Sequence, residues 1–147
     1  MSEFEIQIVN YLEKKGLVAE VYYESFQWAE ISHKGNSVVI RLYSHPNRSQ
    51  WEFSYEESIR ALQQAKAKLL SRSTGANLLE KNFKIDPEQV NEQAQRVLES
   101  IVNHPEREFV LYDSGRMGRT VDIYAPNIGG ARYSLAGEFI GFLELKT

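Results

Sequence analysis

The tightest constraint on this chain lies between residues 108 and 143. Four short segments there alternate apolar and polar residues: 108–113 (EFVLYD), 119–125 (RTVDIYA), 131–134 (ARYS) and 138–143 (EFIGFL). Every gap between them holds glycine or proline: Gly115 and Gly118, then Pro126 with Gly129 and Gly130, then Gly137. Alternation with period two and glycine punctuation is the signature of strands joined by hairpins. A parallel pair needs a crossover of about a dozen residues or more, and these gaps are too short for one. The segments therefore predict an antiparallel meander.

A helix is expected just before it. Asp86 caps, Pro87 takes the first helical position and Gln89 completes the box. Val90, Ala94, Val97 and Ile101 then form a stripe, widened by Leu98 and Val102, until His104-Pro105 ends it. The N-terminal half reads in similar terms. Ser2 and Glu5 form a capping box. Phe4, Ile8, Val9 and Leu12 repeat at helical spacing, with Lys14 and Lys15 before a stop at Gly16, and together predict a first helix. Strands follow at 17–24, 27–33 and 37–43, the last two joined through Lys34-Gly35-Asn36. His45-Pro46-Asn47 breaks the pattern, Trp51 to Phe53 is a short extended piece, and Ser54 with Glu57 caps a helix to residue 71 carrying Ile59, Leu62, Ala65, Leu69 and Leu70. The expected fold is α+β: three helices packed on antiparallel sheet, the C-terminal helix followed by a four-stranded meander. It divides into units 1–72 and 86–147, abutting or merged, with 73–85 as a connecting segment whose Leu78, Leu79 and Phe83 suggest packing. The string HPxR occurs in both halves (His45–Arg48 and His104–Arg107), although the flanks do not align.

Composition narrows the function classes. The 147 residues carry 17 basic and 20 acidic side chains, a net charge of −3, and the deficit falls wholly after residue 72. Binding duplex DNA through many phosphates calls for a basic footprint, and none is present. No apolar run approaches the roughly 20 residues that cross a bilayer, and no charged leader precedes an apolar stretch, so neither membrane insertion nor conventional secretion is expected. Cysteine is absent. That removes disulfides, thiolate zinc sites and cysteine nucleophiles, and fits a reducing cytoplasm. There is no P-loop, dinucleotide fingerprint, HExxH helix or GxSxG elbow, so no cofactor and no metal is expected.

The best chemical constellation is in the C-terminal sheet. Thr120, Asp122 and Tyr124 share one side of their strand, and Arg132 and Ser134 share one side of theirs. If those sides coincide, a single open face presents all five, flanked by Arg116 and Arg119. Guanidinium groups match phosphate oxygens and could stabilise a phosphorane. Asp122 or His104 could accept a ribose 2′-hydroxyl proton, and Tyr124 or Tyr133 could support a base or phosphate. The plainer reading is a sheet face on which Asp122 simply pairs with Arg132 across strands. Aromatic residues concentrate in the first half. Trp28, Tyr22 and Tyr43 are candidates there for gripping a protein partner, against the commoner role of such rings in core packing.

The stretch GRTVDIYAPNIGGARYSLAGEFIGFLE (118–144) resembles the ending of bacterial polymorphic toxin domains, with a strand acid, a glycine turn followed by arginine, and an FIGFLE-type last strand. It looks like the endoribonuclease class grouped with barnase, EndoU, colicin RNases and RelE. The resemblance covers this segment alone, and Pro126-Asn127-Ile128 replaces the usual opening of the turn. It implies metal-independent RNA cleavage, with His104, Asp122, Arg132 and Tyr124 catalytic and Arg116, Arg119, Thr120, Tyr133 and Ser134 binding RNA. The alternative is a non-catalytic protein-binding or regulatory module that uses the aromatic-rich N-terminal sheet to hold an antitoxin or a regulated target.

Overall fold

The computed structural model describes residues 3–11, 16–72 and 90–144. In chain order its elements are β1 (Phe4–Tyr11), β2 (Val18–Tyr23), β3 (Phe26–Lys34), β4 (Ser37–Leu42), α1 (Tyr55–Arg72), α2 (Val90–Val102), β5 (Glu108–Ser114), β6 (Gly118–Ala125), β7 (Gly129–Ser134) and β8 (Phe139–Leu143). The eight strands form one sheet in the order β2-β1-β8-β7-β6-β5-β3-β4, and β3 also pairs with β2. Seven strands thus close into a barrel, and β4 extends from the edge of β3.

This overturns the expected open meander on three helices. Strands β5 to β8 do follow one another antiparallel. Their sheet does not stay open, however, because β8 pairs with β1 and β5 meets β3 in parallel at Asp113 and Phe26. Both 1–72 and 86–147 supply strands to the ring. Among the described residues there are two helices. The expected first helix is β1, paired with β2 from Phe4 to Val9 and with β8 from Val9 to Tyr11. The physical reason is visible in FEIQIVNY: Phe4, Ile6 and Ile8 alternate with Glu5, Gln7 and Val9, so the apolar residues fit either period, and tertiary pairing chose the strand. Ser2, Leu12, Lys14 and Lys15, the connecting segment 73–85 and the Asp86-Pro87-Gln89 start of the last helix lie outside the described residues.

The helices cover the outer wall. α1 buries Ser58, Ala61, Ala65 and Leu69 on one stripe, and the small side chains let it lie close on β1, β2 and β3 against Ile8, Leu17, Ala19, Val21, Ala29 and Ile31. Ser54 caps it, its Oγ accepting from the Glu57 N–H at 3.2 Å. Ile59 and Leu70, expected in the stripe, are exposed. α2 packs on β6 and β7, Ile101 meeting Ile123, Ala125, Ala131 and Phe142. The 43–54 segment wraps the outside of the first strands. Phe53 meets Phe4, Tyr23 and Trp28 with ring centroids 4.6–5.1 Å apart, and the Trp51 indole N–H donates to the Tyr43 carbonyl at 2.7 Å. Both HPxR strings make the same local turn: the Nδ1 of His45 accepts from the Asn47 N–H, and that of His104 from the Glu106 N–H, each at 3.0 Å.

Closure uses close backbone approach. Gly141 stands opposite Arg132 and Tyr11, and a Cβ there would lie 2.5 Å from the Asn10 carbonyl oxygen. Bulges at Val21/Tyr22 and Arg132/Tyr133 add local bend and twist where the wall turns.

Candidate functional site

On β1, β2, β3, β6 and β7 one set of alternate residues faces α1 or α2, and the other set faces the barrel interior. There the strands bring Gln7 and Tyr11 of β1, Glu20 and Tyr22 of β2, Thr120, Asp122 and Tyr124 of β6, and Arg132 of β7 together. Arg132 is 0% exposed. Its Nε and Nη2 grip Asp122 at 2.8 and 2.9 Å. Its Nη1 donates to Glu20 Oε1 at 2.7 Å and to the Tyr11 hydroxyl at 2.8 Å, and its Nη2 also donates to Gln7 Oε1 at 2.5 Å. A guanidinium has five N–H donors, and these five contacts use all of them. Glu20, equally buried, also accepts from Tyr11 and from Tyr22, the latter at 2.8 Å.

Electrostatics follow from this geometry. Burial alone would depress the Arg132 pKa, but Glu20, Tyr22 and Asp122 override it and hold the group well above its ordinary value. Burial, then the Glu20 charge, pushes the Tyr11 and Tyr22 hydroxyls far up. Burial and the Asp122 charge do the same to Tyr124. Among the described residues, the buried side-chain atoms Gln7 Nε2, Arg116 Nε and Thr120 Oγ1 have no hydrogen-bond partner. A second ionic group lies around Glu30: it takes Arg116 at 2.5 Å, Arg41 at 3.5 Å and the Tyr43 hydroxyl at 2.8 Å. Burial and that hydrogen bond push Tyr43 up to about 12.

The structure thus brings Thr120, Asp122, Tyr124 and Arg132 to one face, as their spacing predicts, but that face is the closed interior and not an open sheet. The cross-strand Asp122–Arg132 pair is present. Tyr124 packs among Val9, Tyr11, Val18, Ile140 and Leu143. The other candidates scatter. Arg116 lies in the β5–β6 turn, over the Tyr11 ring. Arg119 is exposed and reaches Asp113 at 3.4 Å. Tyr133 points outward, packed on Phe139 under α2. Ser134 Oγ accepts from the Glu138 N–H in the last turn. His104 closes α2, its carbonyl accepting from Arg107 Nη1 at 2.9 Å. Of the partner-binding candidates, Tyr22 is fully buried inside the barrel, against Tyr112. Tyr43 serves Glu30, and Trp28 is half-buried in the Phe4–Phe53 cluster. Glu20, Glu30, Tyr11 and Gln7 were missed. For Glu20 and Glu30 the signal is a lone acid inside a run of apolar residues, as in VAEVYY and WAEIS; Gln7 and Tyr11 carry no such mark.

What the surface offers instead is apolar. Ile40 and Leu42 on β4 are 48% and 64% exposed, and Phe109 and Leu111 on β5 are also exposed. Beside β4, a groove of about 260 Å³ is lined by Ile31, Val38, Val39, Ile40, Leu62, Gln63 and Lys66. Among the described residues no three histidines or carboxylates cluster as metal ligands would, and no helix is long and apolar enough to cross a membrane. Comparison of the chain with known protein families, curated proteins and solved structures finds no match.

Proposed function

We propose that this protein is a non-catalytic binding module that holds a protein partner on its N-terminal strands, at the surface formed by β4 and its groove. The observation that carries this is an apolar strand left outside the closed ring, with Ile40 and Leu42 in solvent. Exposed apolar area next to a shaped groove is what protein recognition uses. RNA cleavage has less support. Holding a phosphate would require Arg132 to surrender contacts that already use every donor. The ionic residues inside the barrel then specify the fold, and a reducing cytoplasm suits a chain without cysteine.

The test has two arms. Total RNA and tRNA are incubated with the protein in EDTA and are expected to stay intact. Cleavage that His104→Ala or Arg119→Ala abolishes, with the fold retained, would overturn the reading. Extract from the source cell is then passed over immobilised wild-type protein and the Ile40→Glu variant. A partner held by the first and lost from the second is expected, whereas equal capture by both counts against this surface.

A further inference from the structure

Resting on that reading, the structure assigns β4 as a strand-addition site. Its occupant is an extended segment of a partner protein, with apolar side chains at alternate positions and an acidic residue facing Lys66. Four observations carry this.

First, β4 pairs with β3 and with no other described strand, and the barrel closes without it. Second, the register tells which backbone groups the described strands leave unbonded. The Tyr43 N–H donates to the Trp28 carbonyl at 2.9 Å, directly continuing the Ala29–Leu42 pairing. Antiparallel pairs alternate between bonded and non-bonded positions. The odd-numbered residues of β4 therefore bond to β3, and the N–H and C=O groups of Val38, Ile40 and Leu42 point to the open edge. Third, those same residues put their side chains on the face of Ile31 and α1, since Ile40 is the cross-strand partner of Ile31. Leu62 forms the far wall of the groove they border. An added strand would satisfy the outward backbone groups while setting its apolar side chains against Val38, Ile40 and Leu42. The edge also lacks the usual guards against pairing: it contains no proline, its register has no bulge, and its one charge, Arg41, is directed to Glu30.

Charge selects the occupant. Lys66 lines the groove, and no carboxylate does. In a chain of net charge −3 the only charge lining this groove is thus positive, complementary to an acidic segment. A second copy would bring its own β4 edge and Lys66 rather than an acid to meet this lysine, so the proposal commits to a different partner.

A random twelve-residue peptide library displayed on phage is selected on the wild-type protein, and the best binder is synthesised. The expected winners alternate Val, Ile, Leu or aromatic residues and carry Asp or Glu. Ile40→Glu and Leu42→Glu, each checked for fold by circular dichroism, should weaken the synthetic peptide by about tenfold or more, the scale of a lost interface anchor. Amide exchange followed by NMR adds the decisive readout. Bound peptide should protect the amides of Val38, Ile40 and Leu42, and leave Val39 and Arg41, already bonded to β3, unchanged. No enrichment, winners without acid, or uniform protection along β4 would overturn the proposal. So would protection of Val38, Ile40 and Leu42 without peptide: concentration-dependent protection would assign the edge to a second copy, and concentration-independent protection to this chain itself. If the peptide arm fails while Ile40→Glu still abolishes partner capture, the binding module stands and only strand addition falls.

Discussion

Arg132→Met tests the reading of the barrel interior most directly. Methionine keeps an unbranched stem of similar reach and removes the guanidinium. Asp122 then loses both of its arginine bonds, at 2.8 and 2.9 Å, and Glu20 loses one at 2.7 Å. Both carboxylates are 0% exposed. Removing one partner of a buried ion pair costs about 3–5 kcal/mol, because the remaining charge is left desolvated. That is a large part of the roughly 5–15 kcal/mol that holds a domain together. With a urea m-value of about 2 kcal/mol/M, the midpoint should fall by about 1.5–2.5 M. Trp28 and Trp51 fluorescence and far-ultraviolet circular dichroism should report the same transition. Two controls locate the cause. Arg119→Met removes an arginine that is 54% exposed and 3.4 Å from Asp113, and should cost no more than about 1 kcal/mol. Adding Asp122→Asn to Arg132→Met should cost less than the sum of the two single changes, by about 0.5–3 kcal/mol. The reasoning is refuted if Arg132→Met is as mild as Arg119→Met, or if the pair is strictly additive. An arginine kept to bind phosphate would show the opposite pattern, losing RNA binding with its stability unmoved.

Three further outcomes follow from the same structure. Gly141→Ala places a Cβ 2.5 Å from the Asn10 carbonyl oxygen and 3.1 Å from the Tyr11 Cα; since both are backbone atoms at the β1–β8 seam, thermal unfolding should show a loss of about 1–3 kcal/mol or more, and an unchanged melt would mean the seam yields freely. Ser54→Ala removes the cap bonded to the Glu57 N–H and should cost about 0.5–2 kcal/mol in urea unfolding, recovered in large part by Ser54→Asp. High pH should unfold the protein through its phenols. A folded-state pKa raised above the unfolded value of about 10 contributes stability that is complete below that value and lost as pH rises through the folded one. With Tyr43 pushed up to about 12 and Tyr11, Tyr22, Tyr112 and Tyr124 raised by burial, stability should decline from about pH 10 upward. The buried phenolates should then absorb only as circular dichroism is lost; all tyrosines ionising together in a folded protein would contradict the burial.

Which features could be read in advance depends on whether the information is local. The β5–β8 hairpins were legible because glycine and proline mark each turn, and α1 because Ser54 and Glu57 sit at capping-box spacing. The grouping of Thr120, Asp122, Tyr124 and Arg132 on one face was legible too, since strand alternation fixes it. The side of the wall was not. Alternation separates two faces without saying which meets water, and the usual assignment of the polar face to solvent fails once a sheet closes on itself. Closure depends on β1 reaching β8 and β3 reaching β5, pairings far apart in sequence with no turn chemistry to announce them. Yet a local trace of the closed interior did exist. Glu20 and Glu30 each interrupt an apolar strand, and Tyr11, Tyr22 and Tyr43 supply hydroxyls at inward or rim positions. A lone carboxylate in a strand whose neighbours are all buried needs an opposite charge and donors within reach. In this chain Arg132 and Arg116 meet that need, so counting unpaired strand acids against available arginines would have pointed to a closed polar interior before any topology was known.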